Sequence, residues 1–164
     1  MKVRFALEPG AIPGRRSTLM ALKSEPSVIP GILMSDLSIV EHGTQKRSVI
    51  GCFDNFAFAQ FPISLGRFWV TSWIANLVGT VSTVELTCRI QEMASAHVLF
   101  SSSTNITFPD GTALDPTNTL ALNIPIDGLT FPRSGIYTIV LLLSGEEVGK
   151  RDIQVRQAPQ PKKQ

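Results

Sequence analysis

Little in this chain can perform chemistry. It holds two cysteines, two histidines and one tyrosine in 164 residues, and each scarcity removes a class of function. Two cysteines do not make a disulfide framework. Cys88 alternates in phase with Val84, Leu86 and Ile90, which places it on the buried face of a strand, and Cys52 closes another apolar run. Both are read as reduced thiols, as expected of a cytoplasmic chain. With His42 in a loop and His97 in a strand, neither a two-His metal site nor a Ser-His-Asp or Cys-His arrangement is signalled. The glycines stand singly at turns, so no phosphate-cradling loop is present. No catalytic residue, cofactor or metal is expected, and the chain is read as not an enzyme.

Charge is scarce too. Charged residues make up 17% of the chain, below the roughly 25% usual in soluble domains, so apolar surface at an interface is expected. The positive excess lies at the ends. Lys2, Arg4, Arg15, Arg16 and Lys23 against Glu8 leave the first 23 residues four positive, Lys162 and Lys163 add two, and the total of +2 leaves the body four negative. Phosphate binding needs a clustered positive stripe, and single-strand binding needs aromatics interleaved with Lys or Arg. Neither occurs, so nucleic acid is not an expected partner. No apolar run approaches the ~20 residues that span a bilayer, and Glu8, Pro9 and Gly10 interrupt any signal-peptide core. No membrane partner is expected.

Patterning supplies the positive evidence. Pro9, Gly10, Pro13, Gly14, Pro26, Pro30 and Gly31 make residues 1–31 an irregular arm with at most one helical turn at 17–22, and Met20 and Met34 offer downstream starts. Residues 157–164, with two prolines and two lysines, read as a disordered basic tail. Between them, 32–156 reads as one domain of short β-type runs closed by turn residues. Strands are predicted at 32–40, 47–53, 55–61, 67–77, 81–92, 120–126, 135–143 and 148–155, with weaker ones at 97–101 and 104–108. The run at 81–92 is the clearest: Val84, Leu86, Cys88 and Ile90 face inward, Glu85, Thr87, Arg89 and Gln91 outward. Some eight to nine strands without a helical stripe imply an all-β fold, a two-sheet antiparallel sandwich of immunoglobulin-like, Greek-key type. Gly135 and Tyr137, opening an apolar strand after Arg133, resemble a tyrosine corner, in which the phenol bonds back to nearby backbone.

Three stretches carry a resemblance: Arg47-Ser48-Val49-Ile50-Gly51-Cys52-Phe53-Asp54-Asn55, Phe61-Pro62, and Phe131-Pro132 through Gly135-Ile136-Tyr137 with the hairpin from Gly145 to Val155. Together they resemble a family of small uncharacterised bacterial β-sandwich proteins of immunoglobulin-like type, a domain of unknown function. The resemblance covers 32–155 and implies that fold, with no assigned catalytic role.

Candidate sites are few. Trp69 and Trp73 share a strand face with Thr71 and Ala75, and at ~3.3 Å per residue they stand roughly 13 Å apart, a spacing suited to stacking on a sugar chain or peptide. The competing reading is that both rings fill the core. In a long loop marked by Asp110, Gly111, Asp115 and Pro116, Asp110, Thr112 and Asp115 offer oxygens to calcium, but ordinary turn bonding explains them. Glu41 and His42 read as solvated loop residues. By elimination the expected function is a non-catalytic module that binds another protein or itself, as a homo-oligomer, through a sheet face or edge strand. The alternative is a carbohydrate or small-ligand binder using Trp69 and Trp73.

Overall fold

The structure, a computed structural model, describes residues 27–159 apart from 118. The helical turn read at 17–22 and the end of the tail lie outside the described residues. Eleven strands follow one another: β1 (Ser27–Val40), β2 (Arg47–Phe53), β3 (Asn55–Phe58), β4 (Ile63–Ser64), β5 (Phe68–Ala75), β6 (Gly79–Glu92), β7 (Val98–Leu114), β8 (Leu120–Ile126), β9 (Thr130–Phe131), β10 (Gly135–Leu143) and β11 (Glu146–Gln157). The described residues form no helix. They build one sheet in the order β2-β1-β5-β8, another in the order β3-β11-β10-β6-β7, and the ribbon β4-β9. Both large sheets are curled and open, in the manner of half-barrels.

Several expectations are corrected. The first strand starts at Ser27, inside the span read as an arm, because the register shifts between Ile29 and Leu33 and Gly31 adopts φ +118°. A bulge there accommodates the Pro30-Gly31 pair that elsewhere would end a strand. The segments 97–101 and 104–108 and the loop begun at Asp110 fuse into the single strand β7. That strand lies at a sheet edge, where a proline without an N–H costs no second ladder bond, so Pro109 does not break it. His97 precedes β7 rather than lying in it. The sheets are also not wholly antiparallel, since β3 pairs with β11 in parallel through Asn55↔Gln154 to Phe58↔Gln157. No hairpin links those two strands, so nothing local imposes antiparallel direction.

One hydrophobic cluster takes residues from both sheets. Met34, Val70, Ile74, Leu122 and Ile126 enter it from the first, and Val84, Cys88, Ile90, Ile139, Leu141 and Ile153 from the second. Period-two alternation delivers them to one side of each strand, and full burial of such aliphatic side chains stabilises by about 1.5–3 kcal/mol each. Arg151 of β11 ties the sheets together by donating to Ile32 O of β1 and pairing with Asp54 at the β2–β3 bend.

Candidate functional site

The β1–β2 hairpin carries the largest exposed apolar side chains of the first sheet: Leu37 at 42%, Ile39 at 44%, Val40 at 41% and Ile50 at 51% exposure. Leu37 pairs with Ile50, and Ile39 follows Leu37 on the same face. Gly51 sits within β2 at φ +69°, opposite Asp36. A Cβ there would stand 2.3 Å from Asp36 Oδ2, so both the backbone conformation and the close approach call for glycine.

Polar side chains hold the hairpin against β8. Arg47 Nη2 donates to Ala121 O at 3.3 Å. The Asn123 amide, with its oxygen toward Arg47, accepts from Arg47 Nη1 at 2.7 Å and shares its two N–H groups among Leu122 O at 2.9 Å, Ser38 Oγ at 3.0 Å and Thr71 Oγ1 at 3.2 Å. Thr71 and Ser38 are buried, so these bonds satisfy groups that would otherwise be costly to enclose. With one face of the hairpin clamped, Leu37, Ile39 and Ile50 remain open to solvent.

Trp69 and Trp73 lie on the non-core face of β5, and both are half-buried. Their strand neighbours Phe68, Val70 and Ile74 fill the core instead. In register, Trp69 stands between Ser35 of β1 and Pro125 of β8, and Trp73 faces Ala121. Beside this sheet a cleft of ≈ 330 Å³ opens among Phe53, Phe56, Phe58 and Phe68, with Asp36 and Arg67 at its rim. Arg67 is held by Asp127 through two bonds of 2.7 and 3.0 Å.

A second polar cluster lies at the far side of the second sheet. Tyr137, fully buried, donates from its phenol to Arg133 O at 2.8 Å, and the Arg133 guanidinium binds both oxygens of Glu92 at 2.7 and 2.9 Å. Ser95 Oγ adds a bond to Glu92 at 2.6 Å. Arg133, then Ser95, pulls the Glu92 carboxyl down to about 2 from its ordinary 4.5. Burial keeps the Tyr137 phenol above its usual range, helped by the Glu92 charge. Glu92 thus latches the β6–β7 turn to Arg133, with three bonds on its two carboxylate oxygens. A lowered folded-state pKa stabilises fully above the unfolded value and is lost as pH falls through the folded one. The latch should therefore hold above pH 4.5 and release toward pH 2. Arg133→Gln should raise the pH midpoint of acid unfolding, followed by Trp fluorescence; an unchanged midpoint would show that the latch is not coupled to folding.

Asp115 uses its oxygen locally, accepting from Thr117 N at 2.8 Å and Thr117 Oγ1 at 2.7 Å, and these bonds lower its pKa. Thr112 Oγ1 donates to Pro109 O at 2.6 Å. Among the described residues no three His, Cys, Asp or Glu side chains gather as a metal site. His42 and His97 are exposed. Sequence reasoning missed Ser38, Arg47 and Asn123, because their partnership spans separations such as the 74 residues from Arg47 to Ala121 and leaves no local pattern.

Residues 32–156 match the sequence profile of DUF6941, a family of unknown function. The chain belongs to this family. Its match begins in β1 and ends in β11, so the hairpin face, the polar clamp and the tyrosine contact all lie within the DUF6941 region. No curated protein matches the chain. Among solved structures, the Pseudomonas fluorescens alkylpurine DNA glycosylase AlkC, bound to DNA containing an abasic site analog, aligns with 81% of this chain and 31% of its own at 9% identity and a TM-score of 0.42. The chain thus spans about a third of that protein's length, and so distant a likeness carries no functional argument. No helix among the described residues is long and apolar enough to cross a membrane.

Proposed function

We propose that this DUF6941 protein is a non-catalytic protein-interaction module of the bacterial cytoplasm, and that the apolar face of its β1–β2 hairpin is where another protein docks. The observation that carries the reading is the group Leu37, Ile39 and Ile50, each more than two-fifths exposed on one face. Clustered aliphatic side chains on a braced surface are the usual material of an interface core. The clamp through Arg47 and Asn123 supports it, since a surface held in place before binding loses less entropy on docking. Two unbridged cysteines suit a reducing compartment. For the fold we propose an immunoglobulin-like two-layer sandwich of strongly curled sheets, supported by the core shared between the sheets and by the Tyr137 contact.

The chain carries its own probe. Cys52 is exposed on β2, two residues from Ile50, whereas Cys88 is buried and its thiol is pushed up to about 12. A maleimide photo-cross-linker should therefore attach at Cys52 alone. Illumination in extracts of the source cell should yield a discrete heavier adduct, reduced at least tenfold by combining Leu37→Ser, Ile39→Ser and Ile50→Ser. An adduct that survives those substitutions places docking elsewhere and overturns the reading.

A further inference from the structure

Four strands end the two large sheets, and three of them carry protection against pairing with another chain. Strand β3 is only four residues long. Strand β2 leaves extended geometry at Gly51, at φ +69°, and β8 contains Pro125 while its Ala121 carbonyl is already taken by Arg47. Shortness, departures from extended geometry, prolines and capped carbonyls all blunt an edge. Strand β7 differs. It is 17 residues long, and from Val98 to Pro109 it carries no charged side chain. Register along β6 is regular from Thr83↔Thr107 to Ile90↔Phe100, with shifts only outside that stretch. Phe100 to Thr107 is thus a regularly paired, uncharged edge whose outer backbone groups no described strand uses.

We infer that β7 is the seam through which two copies of this chain pair, edge to edge and antiparallel, about a two-fold axis at Thr104. Directly opposed residues in an antiparallel pair face the same side of the sheet, so the axis must pass through a residue and not between two. An axis at Thr104 sets Phe100 opposite the second copy's Phe108, and Phe108 opposite its Phe100, on the core side, with Ser102 and Ile106 opposed between them. On the other side it sets Ser101 opposite Thr107 and Ser103 opposite Asn105. Aromatic pairs and hydroxyl or amide pairs are the cross-strand combinations that stabilise a sheet, and an isologous contact of this kind closes at a dimer. Phe100 and Phe108 are half-buried, while Ser101, Ser103, Thr104, Asn105 and Thr107 are exposed, so each has surface left to give. Charge raises no objection, because none faces itself across the axis. This seam is separate from the hairpin face and does not depend on it.

Light scattering coupled to size exclusion tests the inference on the full chain. The wild-type protein should elute at twice the chain mass at tens of micromolar. Thr104→Lys and Thr104→Glu each set like charges against one another at the axis and should weaken the dimer at least tenfold, leaving monomers with unchanged circular dichroism. Mixing the two variants in equal amounts should restore the dimer, because lysine then faces glutamate. A monomeric wild-type protein, a Thr104→Lys variant that stays dimeric, or a mixture that stays monomeric would each overturn the inference.

Discussion

Phe131→Ala should cost about 3–5 kcal/mol of folding stability, the range for truncating a fully buried aromatic. Phe131 has no exposed surface and forms the centre of a ring cluster, with centroids 4.7 Å from Tyr137, 5.5 Å from Phe56 and 6.5 Å from Phe58. Phe56 continues the cluster to Phe68 at 5.7 Å and Phe53 at 5.0 Å. Phe131 thus joins Tyr137 of β10 to Phe56 and Phe58 of β3, and Phe56 carries the cluster on to β5 and β2 of the first sheet. Removing it opens a cavity among rigid neighbours that relax poorly, and tilted or edge-on ring pairs lose their own contribution as well. Urea unfolding followed by Trp fluorescence measures the loss, and Phe131→Leu, which keeps most of the volume, should recover the larger part. A loss under about 1 kcal/mol for Phe131→Ala would mean that the cluster does not couple the sheets.

Tyr137→Phe isolates a single atom. The ring remains packed on Phe131, but the 2.8 Å bond to Arg133 O is deleted, and removing one partner of a buried hydrogen bond costs about 1–2 kcal/mol here. The same bond places the Arg133 backbone whose side chain holds Glu92. The variant should therefore also shift acid unfolding to higher pH, in the direction expected of Arg133→Gln. Additive effects in the double variant would show that the phenol and the ion pair act independently. A clear shortfall from additivity would show one coupled latch.

Much of the strand layout was legible because burial demanded alternation. The spans read at 47–53, 120–126 and 135–143 coincide with β2, β8 and β10, and Val84, Leu86, Cys88 and Ile90 are all buried as their phase requires. Errors arose where local signals conflicted with position in the sheet. Pro30 and Gly31 read as an arm, and the segment marked by Asp110, Gly111, Asp115 and Pro116 as a loop, since nothing in the sequence says which strand will lie at an edge or carry a bulge. For Trp69 and Trp73, alternation placed both on one face but left open which face was the core. Only the burial of Val70 and Ile74 settled that.

The apolar face of the hairpin illustrates the same division. Leu37, Ile39 and Ile50 read as ordinary strand residues. Their exposure goes with Arg47 reaching Ala121 and Asn123, groups more than seventy residues away, which hold the opposite face of the hairpin. Sequence alone determined that this is an all-β chain, poor in catalytic groups, whose strands each have an apolar side, because period-two patterning is a local property. Tertiary structure alone decided which strand lies beside which, where the sheets curl and which apolar side chains stay in water. Those outcomes depend on contacts between residues far apart in the chain, and no local pattern records them.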